Sequence, residues 1–315
     1  MNWMRRLLIL EVVLILLVGP LVICDPENQS AQQAQSSAPG RLMRLSDGVT
    51  HFEFSEPRDA AEARPVVVLV PGLATPYFIW DRTRADLLAA GFRVLRYDIY
   101  GRGYSDRPQG VAHDVDLYDR QLLELLNGLR IREPVHVVGL SMGGVISIHF
   151  ADRHPERTRS LSLIAPAGFP LEIPLIARFA RLPLVGDYFI HAFGHSQFMN
   201  RLDRNMYDQS LLEQYRTAFL PQMYVTGTKA ALLSSLRNMP LGTSRPVYER
   251  VAAKRLPLQI FWGEQDQVIP YAVGQAMHAA LPDVPFTTVP AAGHILHWEK
   301  PEAIRAKLLN FLKDH

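Results

Sequence analysis

From Arg41 onward the chain alternates between short apolar runs and stretches with helical periodicity. "RLMRLSDGVTHFEF" places alternating apolar and polar positions on either side of Asp47-Gly48. Asp-Gly readily takes the positive φ angles of a tight turn, so the stretch predicts a hairpin. Then come "PVVVLVPG", a helix from about Trp80 to Ala90, "FRVLRYDIYG", a helix from about Asp114 to Leu129, "PVHVVGLS", a helix to about Arg153, and "SLSLIAPAG". Runs of Val, Ile and Leu without a polar face, each followed by a helix, are the pattern of parallel strands buried on both sides. After Gly168 the alternation stops for roughly 80 residues that are apolar, helical and divided by prolines. It resumes with "LPLQIFWGEQDQVIP", a helix around Ala272 to Ala280, the strand "PFTTVPAAGH", and an amphipathic helix from about Pro301 to Leu312 with proline in its first turn. The expected class is α/β, with a mostly parallel central sheet, helices on both faces, and a helical cap inserted at about residues 169–250 of a domain spanning 41–315.

Ahead of this body, Arg5 and Arg6 precede "LLILEVVLILLVGPLVIC", which is apolar except for Glu11 and broken at Gly19-Pro20. The polar "DPENQSAQQAQSSAPG" follows. Residues 1–24 read as an export or anchoring signal, and residues 25–40 as a polar linker that detaches it from the rest. Three forms of that signal compete. An uncleaved anchor fits a length near the lower limit for spanning a bilayer. A cleaved signal peptide lacks a clear A-x-A site, and a lipoprotein signal ending at Cys24 has Ile23 where a small residue is usual. With Arg5 and Arg6 on the cytoplasmic side, a transmembrane helix would leave the body of the chain on the non-cytoplasmic side of a membrane. Cleavage would make the protein secreted or periplasmic.

Composition narrows the partners. The formal net charge of +2 is spread without basic blocks, so nucleic acid is not an expected partner. The single cysteine, Cys24, has no internal disulfide partner, and no Cys/His cluster has zinc spacing. No cofactor and no metal are expected.

The chemistry centres on "HVVGLSMGGVIS", residues His136 to Ser147. A glycine-punctuated turn between an apolar strand and an apolar helix either cradles a phosphate or exposes a nucleophile. A dinucleotide loop needs glycine where Ser141 stands, and no G-x-x-x-x-G-K-[ST] loop is present. What remains is G-x-S-x-G, formed by Gly139, Ser141 and Gly143, in which small residues two before and two after let the serine project from a sharp strand-to-helix turn. The motif alone is a weak signal, and its surroundings strengthen it. "FWGEQDQVIP" puts Asp266 just past a later strand, where an acid can orient a histidine; the plainer reading is a cap for the helix near Pro270. "PAAGHILHWEKP" puts His294 after the last strand, as the imidazole that takes the serine's proton and returns it to the leaving group. Backbone N–H groups of Leu73, in "VVLVPGLAT", and of Met142, at a positive helix terminus, are the expected oxyanion donors.

With these residues in place, the chain from about Arg41 to the C-terminus resembles the α/β-hydrolase family. "GLSMGG", "FWGEQDQVIP" and "AAGHILHWEKP" are similar to its elbow, acid and histidine segments, and "YDIYGRGYSDRP" to the loop after its next strand. One departure is Pro71-Gly72, where the family's oxyanion loop commonly begins His-Gly. The resemblance implies a serine hydrolase acting through Ser141, Asp266 and His294. The leading expectation is a carboxylic ester hydrolase of the lipase, monoacylglycerol-lipase or general esterase range. It would act on a small-molecule or lipid ester with an apolar acyl chain. A carbon–carbon hydrolase of meta-cleavage products is the alternative, since its "SMGG" and "H-W-E" surroundings look similar; such enzymes usually carry Asn before the nucleophile, where this chain has Leu140. Perhydrolase or haloperoxidase-like activity would use the same three residues. A ligand receptor on a hydrolase scaffold would need none of them. His297 reads as a packing residue behind the loop. Asp98 reads as a loop-shaping residue pairing with a nearby arginine, and His113, His136, His149, His154, His191 and His195 as structural or surface residues.

Overall fold

Five consecutive residues of β3, Val66–Val70, are fully buried, as apolar side chains pointing alternately to both faces of a sheet require. In this computed structural model, which describes residue 11 and residues 26–57, 64–172 and 181–315, that strand lies inside an eight-stranded sheet. The others are β1 (Arg41–Leu45), β2 (Gly48–Ser55), β4 (Arg93–Tyr97), β5 (Val135–Leu140), β6 (Thr158–Ile164), β7 (Leu258–Gly263) and β8 (Phe286–Val289). Their order is β1-β2-β4-β3-β5-β6-β7-β8. The hairpin β1/β2 and the pair β2/β4 are antiparallel, and every other pair is parallel. The chain leaves β3 toward β4 on one side and returns to place β5 on the other. The switch point of the order therefore falls between β3 and β5, where open α/β sheets form a crevice beyond their carboxyl ends.

The helices, in chain order, are α1 (Ala31–Gln35), α2 (Asp81–Ala89), α3 (Val115–Gly128), α4 (Met142–Arg153), α5 (Val185–Met199), α6 (Leu212–Phe219), α7 (Thr228–Asn238), α8 (Arg245–Ala253), α9 (Tyr271–Ala280), α10 (Leu296–Glu299) and α11 (Pro301–Asp314). They pack in two groups, α2 with α10 and α11, and α4 with α3 and α8. Local sequence accounts for several boundaries: Asp114 accepts the Leu117 N–H at the start of α3, and Pro301 opens α11. Between β6 and β7 the regular elements among the described residues are helical, α5 to α8 with short 3-10 turns between α5 and α7, and α5 packs on α7.

Two features depart from expectation. The polar stretch before β1 is not a detached linker. Ser30 and Gln33 cap α1 reciprocally, Gln29 bridges Val225, and Glu27 accepts the backbone N–H groups of Gly227 and Lys229. Gln35 then donates to Tyr104 O and Asp106 Oδ1, so the stretch straps the α6–α7 region to the loop after β4. Polar side chains that find backbone partners in this way hold a segment in which, among apolar side chains, only the small Ala34 is buried. The expectation of a transmembrane helix, with the catalytic domain held beyond a membrane or exported, is likewise corrected. Among the described residues no helix is long and apolar enough to cross a membrane. The apolar run of residues 1–24 lies, except for Glu11, outside the described residues.

A buried ion pair closes the corner between β2 and β4. His51 Nδ1 meets Asp98 Oδ2 at 2.8 Å with both side chains fully buried, and the opposite nitrogen faces Pro39 O at 2.5 Å. Asp98 also accepts the N–H groups of Tyr77 (2.7 Å) and Tyr104 (3.0 Å), so its partner is a histidine and backbone amides, not an arginine. Burial alone would lower the His51 pKa, but the hydrogen bond and charge of Asp98, with Pro39 O and Glu53, raise it above its ordinary 6.5. A base that holds its proton more tightly when folded stabilises the fold fully below its unfolded pKa, and that contribution is lost as pH rises through the folded pKa. Urea midpoints measured across this range should therefore fall with rising pH more steeply for the wild type than for His51→Gln. Parallel curves for the two proteins would remove the pair from the stability balance.

Candidate active site

Ser141 sits where β5 ends and α4 begins, at φ 56° and ψ −118°. A non-glycine residue in such a conformation costs on the order of 1–3 kcal/mol and persists only where its surroundings hold it. Here its N–H donates to Ile164 O (2.9 Å), and its carbonyl accepts from Gly144 (2.9 Å) and Ala167 (3.1 Å). The glycines are demanded by contact. A Cβ on Gly143 would lie 2.3 Å from Val70 O, and one on Gly139 would lie 2.5 Å from Ser147 Oγ and 2.6 Å from Gly143 O. The spacing of the motif is thus the spacing at which α4 closes against β3 and β5. Among the described residues the Ser141 hydroxyl has no hydrogen-bonding partner, as is common in ligand-free sites whose nucleophile bonds only when substrate arrives.

Asp266 follows β7 and divides its oxygens between two tasks. Oδ1 accepts the N–H groups of Val268 (2.8 Å) and Ile269 (2.9 Å), and Oδ2 faces His294 Nδ1 at 2.7 Å. It fixes the turn ahead of α9, whose own first residue has no side-chain cap, and meets the histidine with its other oxygen. With Nδ1–H given to the carboxylate, His294 keeps the Nε2 lone pair as its basic site. Asp266 and His294 are both buried, at 6% and 4% exposure, which shields that bond from water.

The loop carrying His294 is held by a carboxylate that no sequence pattern identified. Glu299, at the end of α10, accepts the Gly293 N–H (2.8 Å) with one oxygen and those of Tyr207 (2.9 Å) and Asp208 (2.5 Å) with the other. Ile295 N–H adds a bond to Asn205 O at 3.0 Å.

Beyond β3, Gly72 lies against the nucleophile: a Cβ built on it would come within 3.4 Å of Ser141 Cβ. Gly72 N–H is spent on Thr75 Oγ1 (2.9 Å), while Leu73 O accepts from Arg102 Nε (2.6 Å) and Ala74 O from Gln222 Nε2 (2.7 Å). The N–H groups of Leu73 and Met142 bond to no described residue, the latter because it is the first residue of a helix. Two unspent donors therefore belong to residues next to this contact: Met142 follows the serine, and Leu73 follows Gly72.

The remaining histidines take other partners. His297 is fully buried with its ring 4.4 Å from that of Trp80, and burial, with the neighbouring His294, pushes its pKa down to about 3. It therefore stays neutral behind the loop. His136, His149 and His154 bond Ser160, Ser244 and Asp119. His113 is buried, its pKa brought down to about 3 by burial and by Arg102 and Arg107, and His191 and His195 lie on α5.

Known proteins share this framework. A family model described as "Serine aminopeptidase, S33" matches residues 61–301. Over 293 residues the chain is 28% identical to a 2-hydroxy-6-oxononadienedioate/2-hydroxy-6-oxononatrienedioate hydrolase of Cupriavidus pinatubonensis, covering 90% of this chain and 98% of that one. It is 27% identical over 279 residues to an uncharacterized carboxylesterase of Bacillus subtilis, covering 84% and 83%. The crystal structure of an enol-lactonase from Burkholderia xenovorans superposes with a TM-score of 0.72 at 22% identity, over 87% of this chain and all of that one. With an elbow serine beside the switch point of a mostly parallel sheet, and a family model spanning most of its length, the chain belongs to the serine-aminopeptidase-like branch of the α/β-hydrolases.

Proposed function

We propose that the protein hydrolyses carboxylic esters through an acyl-enzyme on Ser141. What carries the reading is a serine with an unspent hydroxyl together with unspent N–H groups on Met142, which follows it, and on Leu73, which follows the Gly72 packed against it. Ser141 Oγ attacks the carbonyl carbon as His294 Nε2 takes its proton. The carbonyl oxygen becomes an oxyanion between the two N–H groups, which are fixed before the charge arrives and so need no reorganisation. The intermediate collapses, His294 protonates the departing alcohol, and the acyl group remains on Ser141. Water then gives its proton to His294 and attacks the acyl carbon, the acid leaves, and Ser141 is regenerated. Asp266 keeps His294 in the tautomer that leaves Nε2 free and balances the imidazolium that forms twice in the cycle. The described helices between β6 and β7, α5 to α8, serve as the cap whose apolar side chains receive the acyl group.

Carbon–carbon cleavage of a dienoate is the second reading, favoured by the dienedioate hydrolase among the relatives. Leu140, before the nucleophile, weighs against it.

Three measurements bear on these readings. In a panel of p-nitrophenyl esters from acetyl to palmitoyl, set beside a ring-cleavage dienone and an aminoacyl p-nitroanilide, turnover of the esters should exceed that of the other two. Faster turnover of the dienone would transfer the protein to the second reading. Ser141→Ala should abolish labelling by a fluorophosphonate probe, and persistent labelling would put the nucleophile elsewhere. Asp266→Asn should lower kcat by about 10⁴-fold, the size seen when a triad histidine is held in the wrong tautomer. A comparable loss in Asp98→Asn instead would reassign the acid.

A further inference from the structure

Arg102 is fully buried, and among the described residues no acidic side chain pairs with it. A guanidinium cannot shed its charge in a protein, so one buried without a carboxylate must be held by hydrogen bonds aimed at its fork. Each of the three nitrogens has such a partner. Nε donates to Leu73 O (2.6 Å), one terminal nitrogen to Tyr100 O (3.2 Å) and Tyr118 Oη (3.1 Å), and the other to Ser235 Oγ (2.8 Å). Ser235, on α7, is fixed in turn by Tyr118 Oη at 2.8 Å and by donation to Ala231 O at 3.0 Å.

A second side chain spans the same three elements. Gln222 donates to Ala74 O (2.7 Å), and its amide oxygen accepts the Gly103 N–H (3.3 Å). Packing agrees with the bonding: Gly101, at φ +86°, lies so close to α7 that a Cβ on it would come 2.4 Å from Ala231 Cβ. The Gly72–Thr75 loop, the Gly101–Gly103 turn and the α6–α7 region are thus fastened at successive carbonyls, Leu73 O by Arg102 and Ala74 O by Gln222. Two consecutive carbonyls, each pinned by a buried side chain, leave the loop little freedom to turn its remaining donor away.

We infer that Arg102 is the positioning residue that aims the Leu73 N–H at the oxyanion and, through Ser235, ties that aim to α7. The inference rests on the ester-hydrolase reading above. Its signature is specific. A donor that matters only when negative charge has formed on the carbonyl oxygen affects kcat and leaves KM nearly unchanged. Losing the aim of one oxyanion donor should cost about 10²-fold in kcat, the lower range for removing such a donor outright. An unpaired positive charge one residue beyond the donor adds to the field that favours the oxyanion, so a lysine, which keeps the charge without the fork, should retain part of the rate.

The test uses the full chain and a matched pair of p-nitrophenyl ester and thionoester, in which sulfur replaces the carbonyl oxygen and accepts hydrogen bonds poorly. Rates are normalised to the fraction of Ser141 titrated by the fluorophosphonate probe. Arg102→Met should lose about 10²-fold in kcat on the oxygen ester, with KM within a few-fold, and should narrow the oxygen-to-sulfur rate ratio by a similar factor. Arg102→Lys should fall between it and the wild type. Ser235→Ala, which removes one of the guanidinium's four bonds and leaves the guanidinium itself in place, should move both quantities in the same direction by a few-fold, and it decides the matter where Arg102→Met does not fold. An unchanged oxygen-to-sulfur ratio overturns the inference, whatever happens to kcat, because a structural defect would slow both substrates alike. A wild type that neither hydrolyses the oxygen ester nor takes the probe would instead bring down the ester-hydrolase reading beneath it.

Discussion

The molecule is organised around one strained residue. Ser141 occupies a backbone conformation that an isolated chain would leave at once, and it is kept there by Ile164 O on one side and by the N–H groups of Gly144 and Ala167 on the other. Those bonds need β6 in register beside β5, and the close approach of Gly143 to Val70 O needs β3 on the other flank. The central sheet is therefore the jig that bends one peptide and keeps it bent, as well as the hydrophobic core. Its burial on both faces supplies the stability against which the local strain is small.

Around that residue the three supporting loops are held by polar bonds whose acceptors and donors come from the helical segment between β6 and β7. Gln222 and Ser235 meet the loop after β3 and its arginine, and Tyr207 and Asp208 meet the carboxylate that braces the histidine loop. In a low-dielectric interior each such bond is strong, and each is costly to leave unmade. The site is consequently assembled from both sides of the crevice, and neither side by itself contains its complete geometry.

The sheet and the strand-to-helix turn at Ser141 were legible because each leaves a local mark, and so was the placing of Asp266 and His294 after later strands. Apolar runs of four to six residues announce buried strands, two glycines bracket a serine, and Asp266 and His294 follow strand ends directly. The brackets that hold the loops were not, because their partners are far apart along the chain: Arg102 and Ser235 are separated by 133 positions, and Glu299 and Tyr207 by 92. No periodicity encodes such a pairing. His51 was invisible for the same reason, standing in a strand with nothing to mark Asp98 as its partner. The stretch before β1 misled by composition. Ser30 and Gln33 do stand at capping-box spacing, but a Gln/Ser-rich segment reads as solvent-seeking unless the amides it will bond are known.

Glu299 has a consequence for how this architecture can change. One carboxylate serves Gly293, beside His294, and two residues of the helical segment, so the two regions share a single fastening. A replacement segment grafted between β6 and β7 would have to offer the same pair of amides at the position of Tyr207 and Asp208, or leave a buried carboxylate half-satisfied next to the histidine. Change in this segment is thereby channelled: its exposed side chains are free to vary, whereas wholesale exchange carries a penalty beside His294 itself.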